Sequence, residues 1–126
     1  WTTIKAKAYN PGWISSKTTT MTVFPAGLQP DTVILQTQPN AQYRGIGAPA
    51  LADKNQGKIS NFRNDAWLGF RKEHFEVLID FGQNPPTIGE VVGSFGEKMG
   101  SEIFLPERVE VWGGDNPNKL QILSQT

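Results

Sequence analysis

The stretch of the chain richest in groups that can hold a ligand is "NFRNDAWLGFRKE", residues 61–73. Its positions carry three aromatic, three basic and two acidic side chains. Aromatic faces pack against apolar ring surfaces, while guanidinium and carboxylate groups hydrogen-bond to polar substituents. The same pattern fits a polar turn that delivers Trp67 into a core. Because an indole buries about 200 Å², we expect Trp67 to be a packing residue, with the rim of the stretch left for contact.

The residue inventory argues against catalysis. His74 is the single histidine and the chain has no cysteine, so a catalytic triad, thiolate chemistry and Cys-ligated zinc are excluded. A glycosidase needs two facing carboxylates about 5–9.5 Å apart, and the sequence predicts no protected pair among its acidic residues. Those considered are Asp53, Asp65, Glu73, Asp80 and Glu97. The stretch "GSFGEKMG" lacks the Lys-Ser/Thr pair of a phosphate-binding loop. We therefore predict a chain that is not an enzyme.

Composition narrows the range of partners. The 126 residues suffice for one domain with a modest core. Twelve basic and twelve acidic side chains cancel, and no run of Lys or Arg exceeds two neighbours, which argues against nucleic acid and anionic membranes as partners. There is no apolar run near the ~20 residues of a membrane span and no signal-peptide pattern. Thirteen glycines and nine prolines indicate many turns between short strands.

The elements that must position these side chains read as strands. "TTIKAKAYNPGWISSKTTTMTVF" has two runs of period two around the turn Asn10-Pro11-Gly12, which predicts a β-hairpin. "FPAGLQP", residues 24–30, reads as a linker, so we divide the chain into residues 1–26, the end of an upstream small β domain, and residues 27–126. Because the chain opens on Trp1 and stops after the apolar run 120–123, we expect it to be a piece of a longer protein.

Further strands are predicted in "DTVILQTQP", "HFEVLIDFG", "TIGEVVGSFG", "IFLPERVEVWGG" and "KLQIL". In the second of these, Phe75, Val77, Ile79 and Phe81 should share one face. Trp112 alternates with Val111 and should face away from the main core. Residues 40–73 form a long irregular stretch, which in a compact domain is usually functional. No helical pattern reaches ten residues, so the fold class is predicted as all-β, a sandwich or jelly roll.

Residues 50–114 carry a family resemblance. The "A-L-x-D" at 50–53, Trp67, "V-L-I-D-F-G" at 77–82 and "V-E-V" at 109–111 resemble the discoidin, or coagulation-factor 5/8 type C, superfamily, which includes family 32 carbohydrate-binding modules. "W-x-G-F" and "I-F-L-P-x-x-V-E-V" are similar to the discoidin-like domain at the C-terminus of chitobiase-type family 20 β-N-acetylhexosaminidases. There, that domain follows a small β domain whose last hairpin reads much like residues 2–24.

The resemblance implies a galactose-binding-domain-like jelly-roll β-sandwich, here truncated because the family continues beyond residue 126. Related modules bind a pyranose ring with loops at one end of the sandwich, which correspond to residues 39–46, 61–73 and 94–103. The ligand-binding candidates on those loops are Tyr43, Arg44, Asn61, Arg63, Phe70, Phe95, Glu97 and Lys98. The sugar expected is an N-acetylhexosamine or galactose-type glycan.

A Ca²⁺ ion is the one cofactor that the resemblance raises. Many family members hold this ion beside the "L-x-D-G" turn through an Asp carboxylate and backbone carbonyls. Asp53 matches that Asp, but Lys54 stands where the family has glycine. The alternative is that Asp53 only fixes the turn by accepting hydrogen bonds from nearby backbone amides.

Two functions follow from the resemblance. One is a carbohydrate-binding accessory domain of a secreted or periplasmic bacterial β-N-acetylhexosaminidase, covalently joined to the catalytic domain and raising its effective concentration near glycans. The alternative is a structural spacer that packs on the same enzyme and binds no sugar. A discoidin-type adhesion module is less favoured, because only Phe70-Arg71-Lys72 resembles an apolar spike flanked by basic residues.

Overall fold

A computed structural model describes residues 2–126, and it is all-β, as predicted. Its six strands form three separate two-stranded antiparallel sheets. The strands are β1 (Thr2–Ala6), β2 (Thr19–Val23), β3 (Thr32–Leu35), β4 (Val77–Asp80), β5 (Glu110–Gly113) and β6 (Gln121–Gln125). Three short 3₁₀ helices span Ala41–Tyr43, Ala48–Leu51 and Met99–Ser101. Residues 2–126 contain no α-helix, and none of their helical turns has the length and apolarity to cross a bilayer.

The first sheet is the predicted hairpin. Strand β1 pairs with β2 in a register that runs from Thr2 opposite Val23 to Ala6 opposite Thr19. The tip turns at Gly12, whose φ of +79° is accessible to glycine, and the Trp13 amide donates to the Asn10 carbonyl at 3.0 Å. Proline before glycine in this turn presets the bend, because its ring holds φ near −65°. The hairpin prediction is confirmed.

The second sheet closes the long irregular stretch into a loop. Strand β3 pairs with β4, and Asp31 N donates to Asp80 O at 2.8 Å just outside the pairing. The face predicted for these apolar residues of β4 is largely open: Val77 is half-buried, but Ile79 and Phe75 are each 43% exposed. The reason is that no second sheet covers this pair in the described part of the chain, so alternation along the strand has no core to face.

The third sheet pairs β5 with β6 and has a bulge between Val111 and Trp112. Val111 is half-buried and the Trp112 side chain is 51% exposed, so the outward orientation predicted for Trp112 is confirmed. The Trp112 indole N–H donates to Glu110 Oε2 at 3.1 Å, and Glu110 Oε1 lies 2.9 Å from Arg108 Nε.

The strand predicted in "TIGEVVGSFG", residues 87–96, is wrong. Residues 87–96 form no regular element, and Ile88, Val91 and Val92 are 47–59% exposed. The stretch contains three glycines, which have no side chain to pack and weaken a strand. Periodic apolar residues therefore do not suffice here, since a strand also needs a hydrogen-bonded neighbour.

Little of the chain is fully enclosed. Phe62 is the one buried apolar side chain among the described residues, at 8% exposure. The solvent-accessible surface is 10861 Å², whereas a compact monomer of 13.9 kDa exposes roughly 6,700 Å². The strands therefore leave much apolar surface open, and the tightest packing lies in the loops between β3 and β4.

Candidate functional site

The loop region is organised around two aromatic rings. The Phe62 and Trp67 ring centroids lie 5.0 Å apart with their planes tilted by 51°, a favoured arrangement for an aromatic pair. Trp67 is half-buried, and its indole N–H donates to the Lys58 carbonyl oxygen at 3.1 Å. This contact satisfies the one polar atom of the indole. The packing role predicted for Trp67 is therefore confirmed, with Phe62 as its more deeply buried partner.

Glycines let two other segments approach these rings closely. A Cβ atom on Gly57 would overlap the Trp67 indole, and one on Gly96 would overlap the Phe62 ring. Gln56 Nε2 also reaches Ser94 Oγ at 3.5 Å, a long hydrogen bond between the same two segments. The loop 94–103 is thereby held against the loop 61–73.

The loop 39–46 is joined to the loop 61–73 through Tyr43. The Arg63 guanidinium carbon lies 5.9 Å from the centre of the Tyr43 ring, which is the upper range of a cation–π contact. Backbone hydrogen bonds fix the approach, because Gly69 N donates to Tyr43 O and Asn40 N donates to Gly69 O, each at 2.8 Å. The loop 61–73 therefore contacts both other loops that the resemblance points to: the loop 94–103 through the Phe62–Trp67 pair and the loop 39–46 through Tyr43.

Three of the eight predicted ligand residues lie together. Tyr43 and Arg63 are in contact, and Asn61 belongs to the same turn, where its Oδ1 accepts from Arg63 N at 3.0 Å. Asn61 and Arg63 are exposed and Tyr43 is half-buried. Together they offer one aromatic ring, one guanidinium and one amide within a single surface region.

The loop 94–103 contributes the next three candidates at the edge of this region. Phe95 is 45% exposed, and its ring lies against Gly93. Glu97 and Lys98 are exposed, and Lys98 and Ile103 exchange backbone hydrogen bonds that close the loop. The contact of Gly96 with Phe62 therefore places this trio beside the aromatic pair, with their side chains at the surface.

Two predicted ligand residues are used differently. Phe70 is half-buried and packs on Phe75, with ring centroids 5.0 Å apart and planes tilted by 46°. Arg44 lines an open depression of about 400 Å³ with Leu35 and Gln38, and the lining of this depression includes neither Tyr43 nor Arg63. Phe70 therefore packs the end of the loop 61–73 against Phe75, and Arg44 lines a surface separate from Tyr43 and Arg63.

The predicted calcium ligand, Asp53, lies in a turn. Asp53 Oδ1 accepts from the Asn55 amide at 2.8 Å, which is the turn-fixing alternative. Lys54 adopts φ of +62°, so this lysine takes the left-handed conformation that glycine has in the family's turn. The described residues contain no group of three or more acidic, His or Cys side chains that could hold a metal. Since Ca²⁺ takes six to eight oxygen ligands, the ion would need backbone carbonyls beside the one carboxylate of Asp53.

Sequence reasoning missed the residues that assemble this region. Phe62 is its buried centre, and Gly57, Gly96 and Gln56 bring its segments together. Glycines of this kind carry no periodic signal, because their contribution is the absence of a side chain at a close approach. The only hint available was the density of aromatic residues in the stretch 61–73.

Together the fold and the loop contacts define an all-β chain in which the loop 61–73, with its aromatic pair, contacts the loops 39–46 and 94–103. Comparison of the chain with protein-family models, with curated proteins and with solved structures found no match in any of the three.

Proposed function

We propose that the chain is a non-catalytic carbohydrate-binding accessory domain, of the discoidin-like jelly-roll class, that belongs to a secreted or periplasmic β-N-acetylhexosaminidase. The family resemblance of residues 50–114 motivates the parent enzyme and the sugar class. The observation that carries the proposal is that the loop 61–73 contacts both the loop 94–103, through Phe62 and Trp67, and the loop 39–46, through Tyr43.

The chemistry of this loop cluster suits a sugar better than a charged or purely apolar ligand. A pyranose has an apolar C–H face and a rim of hydroxyls, so it needs an aromatic ring beside directional hydrogen-bonding groups. Tyr43 provides the ring, and the exposed Arg63 guanidinium provides donors arranged in a plane. Glu97 and Lys98, one of each charge, line the edge and add an acceptor and a donor for hydroxyl groups.

The test is a titration of the chain with N-acetylglucosamine, galactose and chitobiose, followed by backbone amide shifts. Binding predicts shifts confined to residues 39–46, 61–73 and 94–103, saturating at millimolar sugar or above. Replacing Arg63 by Gln should weaken binding by about tenfold, which corresponds to one lost charge-assisted hydrogen bond of ~1.4 kcal/mol.

A matched control separates this effect from a general change of charge. Arg71 lies in the same loop and is exposed, and it has no described contact with Tyr43. Arg71→Gln should therefore leave the sugar titration unchanged. If both variants lose binding equally, the Tyr43–Arg63 pair is not the contact.

A second candidate function is a spacer that packs on the catalytic domain of the same polypeptide and binds no sugar. Its support is the apolar surface of the third sheet and the segment before it, where Phe104, Leu105 and Leu123 are 52–69% exposed and Trp112 is 51% exposed. Exposed apolar surface on this scale commonly marks an interface. Absence of any amide shift at tens of millimolar of all three sugars would favour the spacer.

A further inference from the structure

A second cluster of exposed aromatic residues lies at the tip of the hairpin β1–β2, away from the three loops. Tyr9 is 78% exposed and Trp13 is 77% exposed. Both line one open depression of about 300 Å³, whose other walls are Ala8, Asn10, Ile14 and Ser16. Surface tryptophans are usually covered over most of their area, since an indole is the largest apolar side chain. Two exposed rings on one concave surface are therefore a candidate contact site.

The backbone holds this depression in one shape without help from the two rings. Ser16 N donates to Ala8 O at 3.1 Å, and Ala8 N donates to Ser16 Oγ at 2.9 Å, which ties the two sides of the tip together. The turn is closed by Trp13 N donating to Asn10 O at 3.0 Å, and Gly12 takes the left-handed conformation that the turn needs. The turn is therefore formed by hydrogen bonds that do not involve the Tyr9 and Trp13 side chains, and both rings project from it.

The charge and polarity of the lining residues indicate which kind of ligand this depression would bind. The six lining residues include no Asp, Glu, Lys, Arg or His, so nothing in the lining pairs with an ionic ligand. Asn10 and Ser16 place polar groups beside the rings. Lys7 Nζ lies 5.4 Å from the centre of the Tyr9 ring, which leaves only the opposite face of that ring for a ligand. A neutral molecule with an apolar face and a hydroxylated edge matches this lining.

From these observations we propose that Tyr9, Trp13 and Asn10 form a second, separate sugar-binding surface that takes a neutral pyranose at the hairpin tip. The pyranose C–H face would lie on the Trp13 indole, and the Asn10 amide would hydrogen-bond to its hydroxyls. This proposal does not depend on binding at the loops 39–46, 61–73 and 94–103. If both surfaces bind, one glycan chain can engage two sites at once, which raises avidity.

The experiment is a titration of the 126-residue chain with tri-N-acetylchitotriose, read from backbone amides and indole N–H signals. Binding at the tip predicts shifts of the Trp13 indole and of the amides of residues 8–16. Because the loop cluster is read from other amides in the same titration, the two surfaces can succeed or fail separately.

Three variants test the role of the ring. Trp13→Ala should weaken binding at the tip by about tenfold, which is the loss of ~1.4 kcal/mol of aromatic contact. Trp13→Tyr should restore most of it. Leu28→Ala removes an exposed aliphatic side chain outside the depression and should change nothing. The Trp13 side chain is not part of the turn's hydrogen bonds, so unchanged amide signals of β1 and β2 will show that each variant keeps its fold.

Several results would overturn the proposal. One is the absence of shifts at residues 8–16 with tens of millimolar trisaccharide, in which case the tip is a protein contact instead. Another is equal weakening by Leu28→Ala and Trp13→Ala, which would mean that the loss of binding does not come from the ring at the hairpin tip.

Discussion

The irregular segment between β3 and β4 is packed more tightly than the third sheet. In this segment Phe62 is 8% exposed, and the half-buried Trp67 indole lies against Phe62, Gly57 and Gly96. On the third sheet, by contrast, Trp112 and Leu123 are 51% and 69% exposed. The regular elements of this chain are held by backbone pairing, whereas its loops are held by side-chain packing.

The difference lies in how each region satisfies its polar and apolar groups. A two-stranded sheet pairs only half of its backbone groups and has no layer to cover its faces, so it is marginal alone. The loop segment folds its amides into turns through Asn40, Asn61 and Asn64, each of which accepts a backbone amide two residues later. With its polar groups satisfied locally, the segment is free to bury its aromatic rings.

The largest expected effect tests whether the loop segment holds the core. Trp67→Ala should lower the free energy of unfolding by about 3 kcal/mol, the low end for loss of a large aromatic side chain, because Trp67 is half-buried. Trp112→Ala, in the open third sheet, should cost less than about 1 kcal/mol. Urea denaturation of both variants measures the contrast, and equal losses would remove the distinction between the two regions.

The next effect probes the close approach at Gly57. A Cβ atom there would overlap the Trp67 indole, so Gly57→Ala should destabilise by about 1–3 kcal/mol through overpacking. Gly89→Ala is the matched control, because a Cβ at Gly89 meets nothing within 4 Å, and it should be neutral or slightly stabilising. Thermal unfolding of the pair reports the difference. A Gly57→Ala variant as stable as its control would mean that the indole is free to move aside.

A smaller change, a gain in the free energy of unfolding, is expected when Lys54 is replaced by glycine. Its φ of +62° costs a side-chain-bearing residue about 1–2 kcal/mol, while glycine loses about 0.5–1 kcal/mol of chain entropy on folding. Lys54→Gly should therefore stabilise the chain by about 0.5–1 kcal/mol. Lys58→Gly should lose about 0.5 kcal/mol, since Lys58 lacks a positive φ. A loss in both variants would show that the strain at Lys54 is already relieved.

The smallest effect concerns calcium. With one carboxylate, Asp53, in its turn, we expect a dissociation constant of about 10 mM or weaker, so that about 1 mM Ca²⁺ adds less than about 0.1 kcal/mol to stability. Unfolding in Ca²⁺ and in Mg²⁺, each against a chelator, measures this. A stabilisation of ~1 kcal/mol specific to Ca²⁺ that Asp53→Asn abolishes would contradict the turn-fixing role.

The sequence predicted the hairpin β1–β2, the strands β3 to β6 and the absence of long helices, because period-two apolar residues and the Asn10-Pro11-Gly12 turn are local signals. It also predicted that Trp67 packs and that Trp112 faces outward. It failed for residues 87–96, where the same periodicity has no pairing partner. This failure concerns neighbours distant in the chain, which a local pattern does not record.

The candidate site, too, was predictable from the sequence only in part. The residue types of the three loops were legible from the sequence, including Tyr43, Asn61 and Arg63. Their meeting was not, because it depends on Gly57, Gly69 and Gly96 admitting rings and side chains from other loops. The sequence by itself determined the all-β character and the aromatic content of the loops, since both follow from local composition and periodicity. Only the tertiary structure decided which aromatic residues are buried and which loops share a surface, because close packing depends on contacts between segments far apart in the chain.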